Sequence, residues 1–160
     1  MARRLRPVEL DFVGSAPLRL VFSAEATASP QAVYRALAED LPGWPAWFTA
    51  VRSATPTHGG AGREVRLRGG VLFAETILAT EPGERYAYRV DETNAPGLSA
   101  LLEEWRITPA GSGTHVQWTF AADAPAAVRA LLQIGRAGLG ASFRGAVRNL
   151  DRRLARSAAQ

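Results

Sequence analysis

From residue 51 to residue 121, six short segments alternate apolar and polar side chains, and one long apolar stripe of helical period follows them. Period-two alternation marks a strand with one buried face. The segments are residues 51–55, 63–68, 71–80, 85–91, 101–108 and 115–121. Pro56 with His58-Gly59-Gly60, Gly69-Gly70, Glu81-Pro82-Gly83-Glu84 and Gly111-Ser112-Gly113 divide them, and such residues preset the dihedrals of turns. Short connections make neighbouring strands antiparallel, so the pattern predicts a meander. A meander has one apolar face to cover, and the chain offers a single long element with which to cover it.

That element lies within residues 124–155. Leu139, Phe143, Val147, Leu150 and Leu154 recur every three or four residues, opposite Arg144, Arg148 and Arg152. Glycines at 135, 138 and 140 weaken a helix there, and a kink or break is expected between Gly135 and Gly140. Ahead of the meander, Leu18, Leu20, Phe22, Ala24 and Ala26 alternate as a further strand. Ser29-Pro30 then reads as a helix start, with Ser capping free amides and Pro in the first turn. Val33 and Leu37 lie on the face that helix buries, Pro42-Gly43 stops it, and Trp44-Pro45-Ala46-Trp47-Phe48 forms a short helical or turn segment. The first seventeen residues show no period and read as a lead-in that packs across the domain; residues 18–156 form that domain.

Composition narrows the function. At 160 residues with 47% apolar content, the chain can bury a core without cross-links. It contains no cysteine, which excludes disulfides, thiolate nucleophiles and iron–sulfur clusters. With only two histidines, His58 and His115, no metal site is expected. No apolar run is long enough to cross a bilayer, and the basic start is followed by Pro7, Glu9 and Asp11 where a signal peptide needs apolar residues. A cytoplasmic protein without integral membrane contact is expected. All nineteen basic residues are Arg, a bias of GC-rich coding. They scatter among acids, as in Arg63-Glu64 and Asp151-Arg152-Arg153, and read as a solvated surface rather than a nucleic-acid footprint.

The inward faces of the strands carry Phe73, Tyr86, Tyr88, Trp105, Trp118 and Phe120. A curved sheet gripping one helix can leave space between them, and such a space is a usual ligand site. The sequence resembles the START-like (SRPBCC) superfamily and within it the polyketide cyclase/dehydratase-like branch. The resemblance rests on Ser29-Pro30-Gln31-Ala32-Val33-Tyr34, Trp44-Pro45-Ala46-Trp47-Phe48, Glu81-Pro82-Gly83-Glu84-Arg85-Tyr86-Ala87-Tyr88, Glu104-Trp105-Arg106-Ile107 and Gly113-Thr114-His115-Val116-Gln117-Trp118, within residues 18–154. It implies an α+β helix-grip fold, with about seven antiparallel strands around a long C-terminal helix, an internal apolar cavity and no cofactor. Family members include cyclases, hydrolases, lipid carriers and hormone receptors, and fold does not choose among them.

Candidate ligand-binding residues are Trp47, Phe73, Glu75, Tyr86, Tyr88, Glu103, Trp105, Trp118, Phe120, Phe143 and Val147. Glu75, Glu103 and Tyr88 are candidates for acid–base chemistry, since a carboxyl in an apolar pocket has its pKa raised. Glu103 faces inward if Trp105 and Ile107 do, and Glu75 does if Phe73 and Ile77 do. The alternative for each carboxyl is a strand end or bulge, in water or paired with Arg. For Glu75, a rival inner face of Leu72, Ala74, Thr76 and Leu78 turns it outward. His58 and His115 have no Ser or Cys partner and read as exposed, so a nucleophilic triad finds no support. Three functions remain open: a carrier of a small apolar or aromatic molecule, such as a lipid or polyketide; a cyclase or dehydratase; and an interaction module docking Arg144, Arg148, Arg152 and Arg153 to nucleic acid or an acidic partner. As a carrier, the chain is expected to be a monomer or weak homodimer.

Overall fold

The computed structural model describes residues 1–160. Eight strands form one sheet: β1 (Arg3–Arg4), β2 (Leu18–Ala26), β3 (Val51–Thr57), β4 (Gly62–Leu67), β5 (Leu72–Glu81), β6 (Arg85–Thr93), β7 (Ala100–Ala110) and β8 (Gly113–Asp123). Their order is β2-β8-β7-β6-β5-β4-β3, all antiparallel, with β1 beside the end of β6. β3 runs two residues past its expected end. Pro56 fits within it because β3 is an edge strand, where a missing N–H breaks no ladder. The sheet does not close, since β2 and β3 are its two edges.

Between those edges the chain crosses through short helices: α2 (Pro30–Tyr34), a π-helical turn at Arg35–Glu39, a 3-10 turn at Leu41–Gly43, and α3 (Trp44–Trp47). Ser29 caps α2, its hydroxyl accepting from the Ala32 amide at 3.2 Å. A further short helix, α1 (Phe12–Ser15), precedes β2. Val8 and Phe12 are buried against Ala100, Leu102 and Ala121 on the outer face of the sheet. The first residues thus cover the back of β7 and β8.

The C-terminal region is two helices, α4 (Ala126–Ile134) and α5 (Arg136–Ala158), broken at Gly135. Phe143, Ala146, Val147 and Leu150 form the buried stripe of α5. Phe143 packs against Phe22, Trp105 and Trp118, with ring centroids 5.7–6.3 Å apart. Gly140 permits this approach: a Cβ there would stand 3.1 Å from the Phe22 ring. Two polar clamps fix the helix lengthwise. Asp151 accepts from the amides of Thr27 and Ala28 and from the Thr27 hydroxyl at 2.9–3.1 Å. Asn149 donates to the Trp47 carbonyl at 3.2 Å. The result is the helix-grip architecture, a curved open antiparallel sheet around a long C-terminal helix.

Hydrogen bonds to a charged acceptor contribute about 1.5–3 kcal/mol when buried and less where water competes. Asp151→Ala is therefore expected to lower stability by about 1–2 kcal/mol in urea denaturation. An unchanged midpoint would show that the clamp adds nothing.

Candidate functional site

Strand register assembles the site. β4 and β5 pair with Arg63 opposite Glu75 and Val65 opposite Phe73. Residues directly opposite share a face, so the face that buries Val65 carries the ion pair inward as well. Across β6, β7 and β8, Tyr88 stands opposite Glu103, which stands opposite Phe120. The next row is Tyr86, Trp105, Trp118 and Phe22. Most of these residues, with Trp44 and Phe48 from the α3 region and Leu139 and Ser142 of α5, line a partly open cavity of about 200 Å³, while Tyr86 and Phe22 stand outside its lining. Twelve of its sixteen lining residues are hydrophobic, Tyr88 among them, and the other four are Arg63, Glu75, Glu103 and Ser142.

Arg63 is the deepest charge, with about 1% of its side chain exposed. Its guanidinium Nε donates to Glu75 Oε2, and its carbon lies 3.8 Å from the Tyr88 ring centre, 4.5 Å from Trp44 and 5.5 Å from Tyr86. A desolvated cation between aromatic faces gains from each ring's quadrupole. Burial alone would lower its pKa, but the Glu75 carboxylate reverses that and the net is upward, so Arg63 is always charged. Glu103 differs. It is enclosed by protein yet keeps part of its surface on the cavity. Burial, reinforced by the negative field of Glu75, pushes its carboxyl up to about 8, and the charge of Arg63 opposes the rise. Burial also raises the Glu75 carboxyl, and Arg63 opposes the rise. Two carboxyls thus face one guanidinium. Glu75, in direct contact, balances the charge, and Glu103 retains its proton at neutral pH.

Tyr88 is tied down. Its hydroxyl accepts from Trp105 Nε1 at 3.1 Å, and burial, with the charge of Glu103, holds its pKa well above the usual phenol value. The Trp118 indole N–H and Arg63 Nη1 are buried without a hydrogen-bond partner.

Of the residues singled out in the sequence, Phe73, Glu75, Tyr88, Glu103, Trp105, Trp118 and Phe120 line the cavity. Trp47, Tyr86, Phe143 and Val147 stand behind its wall, where they are buried. Trp47 packs on Trp44 at a tilt of 45° with ring centroids 4.7 Å apart, and Tyr86 backs Arg63 and opens on a separate cleft of about 150 Å³. Glu75 combines three sequence expectations: it sits at a bulge, pairs with Arg and faces inward. Arg63 corrects the reading of Arg63-Glu64 as surface charge, since Arg63 is buried and only Glu64 lies outward, bonded to Arg66. Its alternation with Val65 and Leu67 is the signal that places it inside. Trp44, Phe48, Ala50, Val51, Leu139 and Ser142 also line the cavity, brought there by the tertiary path of the α3–β3 connection and of α5. His115 is bonded to Glu25 on the exposed side of β8, and His58 lies in an exposed turn. No group of three or more metal-ligating side chains is gathered anywhere in the chain.

Residues 17–155 match the family described as polyketide cyclase / dehydrase and lipid transport. Uncharacterized proteins of Mycobacterium tuberculosis and Mycobacterium bovis are 29% identical over 150 residues, covering 91% of this chain and 89% of theirs. A START superfamily protein of Mycobacterium smegmatis superposes with a TM-score of 0.64 at 14% identity, over 82% of this chain and 98% of that one. Ginseng major latex-like protein 151 from Panax ginseng gives 0.69 at 10% identity, over 85% and 96%. The protein XoxI from Bacillus cereus gives 0.69 at 16%, over 85% and 94%. At these identities the superpositions establish the fold.

Two measurements test the electrostatics. A folded-state pKa raised above the unfolded value means that Glu103 stabilises the protein below about pH 4.5 and that this contribution is lost as pH rises through about 8. Glu103→Gln should therefore flatten the decline of stability across that window, and the Glu103 carboxyl carbon should titrate near 8 by NMR; titration near 4.5 would refute the assignment. Arg63→Met, which strands Glu75, should cost about 3–5 kcal/mol, and Arg63→Met with Glu75→Met should recover most of it. A double variant as unstable as the single would contradict the pairing.

Proposed function

The chain belongs to the polyketide cyclase / dehydrase and lipid transport family, and from that premise we propose that it binds a compact apolar molecule, carrying a hydrogen-bond acceptor, in the cavity beneath α5. The observation that carries this reading is the Glu103 carboxyl on the wall of a mostly apolar chamber, where burial raises its pKa and favours the neutral acid. A protonated Glu103 donates one hydrogen bond without adding charge, so it suits a carbonyl or ether oxygen better than a cation or a hydrocarbon.

Size limits the occupant. An apolar cavity of about 150 Å³ holds benzene, and pockets for drug-sized ligands begin near 300 Å³. At about 200 Å³ the chamber suits one or two rings. A long acyl chain or a four-ring polyketide needs the wall to move outward, and α4 with the start of α5 is the least buried part of that region.

Glu103 also supports a second reading, proton transfer. A carboxyl with a pKa of about 8 exchanges protons near neutral pH, while Glu75 is held by Arg63 and Tyr88 by Trp105. A bound ketone could then lose an α-proton to the ionised fraction of Glu103 and regain one from it.

Thermal denaturation with a series of one- and two-ring ketones and the matching hydrocarbons tests the binding proposal. A saturating ketone, at about a hundred times its Kd, should stabilise by about 2.7 kcal/mol. Its advantage over the hydrocarbon should fade above pH 8 and be altered in Glu103→Gln. A melting temperature indifferent to the whole series contradicts the proposal. Deuterium uptake at the α-carbon of a stabilising ketone, followed by NMR, separates the readings: uptake that Glu103→Gln abolishes marks catalysis, and binding without uptake marks a carrier.

A further inference from the structure

Apart from Met1, the chain leaves two large apolar side chains exposed, and they are one helical turn apart. Leu131 is 66% and Ile134 79% exposed, both on α4. With Ala127 and Ala130, also exposed, they form an i, i+3, i+4, i+7 stripe that points away from the protein. The other side of α4 is anchored: Leu132 packs on the main core, and Val128 lies against Gly97. The stripe is thus the outer face of a docked helix rather than a frayed segment.

The charge along this stretch of the chain is of one sign. Between Asp123 and Asp151 the chain has no acidic residue and four arginines, Arg129, Arg136, Arg144 and Arg148. None of the four reaches a carboxylate, although most arginines on the sheet do. Arg136, Arg144 and Arg148 are exposed and Arg129 half-buried. A short amphipathic helix with an outward apolar stripe, carrying Arg129 and followed on α5 by arginines that meet no carboxylate (Arg136 lies over the Phe22 ring at 5.8 Å), has the two signals that hold a helix in the plane of an anionic bilayer. No helix here is long and apolar enough to cross one. The same elbow borders the chamber, since Leu139 and Ser142, just beyond Gly135, line it.

We infer that α4 and the start of α5 form a peripheral docking surface for an anionic lipid bilayer, with Leu131 and Ile134 entering the headgroup–acyl boundary and the unpaired arginines facing the lipid phosphates. This surface is independent of whether the cavity takes the ligand proposed above.

Flotation with lipid vesicles tests it on the full chain. The protein should float with vesicles of phosphatidylcholine containing about a third phosphatidylglycerol, and not with pure phosphatidylcholine. High salt should weaken binding. Leu131→Ser with Ile134→Ser, at exposed positions where folding is unaffected, should weaken it by about tenfold or more, and so should Arg136→Glu. Failure to float with the anionic vesicles overturns the inference, and so does flotation unchanged in the double serine variant. Light scattering on the same samples covers the remaining case: a dimer that the serine variant dissociates, without flotation, makes the stripe a contact between two copies and removes the bilayer.

Discussion

A single buried cross-strand ion pair sets the character of this interior. Arg63 and Glu75 face each other on β4 and β5 with almost no exposure, and neither is tolerable there alone. Separately, each would carry a desolvation penalty of several kcal/mol. Together, and with Tyr88, Trp44 and Tyr86 around the guanidinium, they form a rigid polar plug that side-chain packing alone would not need. Such pairs add little net stability compared with a hydrophobic replacement. In a core otherwise built mainly of aliphatic and aromatic side chains, the role of the pair is electrostatic.

That role follows from the third ionisable group. One guanidinium can neutralise one carboxylate, and the chamber holds two carboxyls. Because Glu75 takes the direct contact, Glu103 meets both burial and a neighbouring negative charge, and it keeps its proton. The ion pair therefore biases the charge state of Glu103, the carboxyl on the cavity wall that no arginine contacts directly. The aromatic row Phe22, Trp118, Trp105 and Tyr86 and the α5 residue Phe143 fix the wall around it. Asp151 and Asn149 fix the helix that closes it.

Much of this was legible in the sequence because period two holds along most of the strands, with bulges in β3 and β5 as the exceptions. Trp105 and Ile107 place Glu103 inward, and the structure puts it there. The helix break falls at Gly135, at the edge of the expected interval. Glu75 was harder, for a reason that turns on one residue. A two-residue turn at Gly69-Gly70 would pair Arg63 with Thr76 and turn Glu75 to the outer face, along with Glu64. The observed loop is looser, with β4 ending at Leu67 and β5 starting at Leu72, and the register moves by one. A one-residue slip exchanges the two faces of a strand, so no propensity within β5 could decide between them. Arg63 itself was visible in its alternation with Val65 and Leu67, but pairing with the adjacent Glu64 made it look like surface charge. The contributions of Phe48, Leu139 and Ser142 depend on how α3 and α5 cross the sheet, which no local pattern encodes.

At the centre of this account is a largely apolar space between the sheet and α5 that side chains do not fill. Diffraction from a crystal of the protein pressurised with xenon tests this most directly, since xenon enters dry apolar cavities and not packed cores. The account predicts a xenon atom between Phe73, Trp118, Phe120 and Leu139, within reach of Glu103. Side chains closing that space, with no xenon between them, would contradict it.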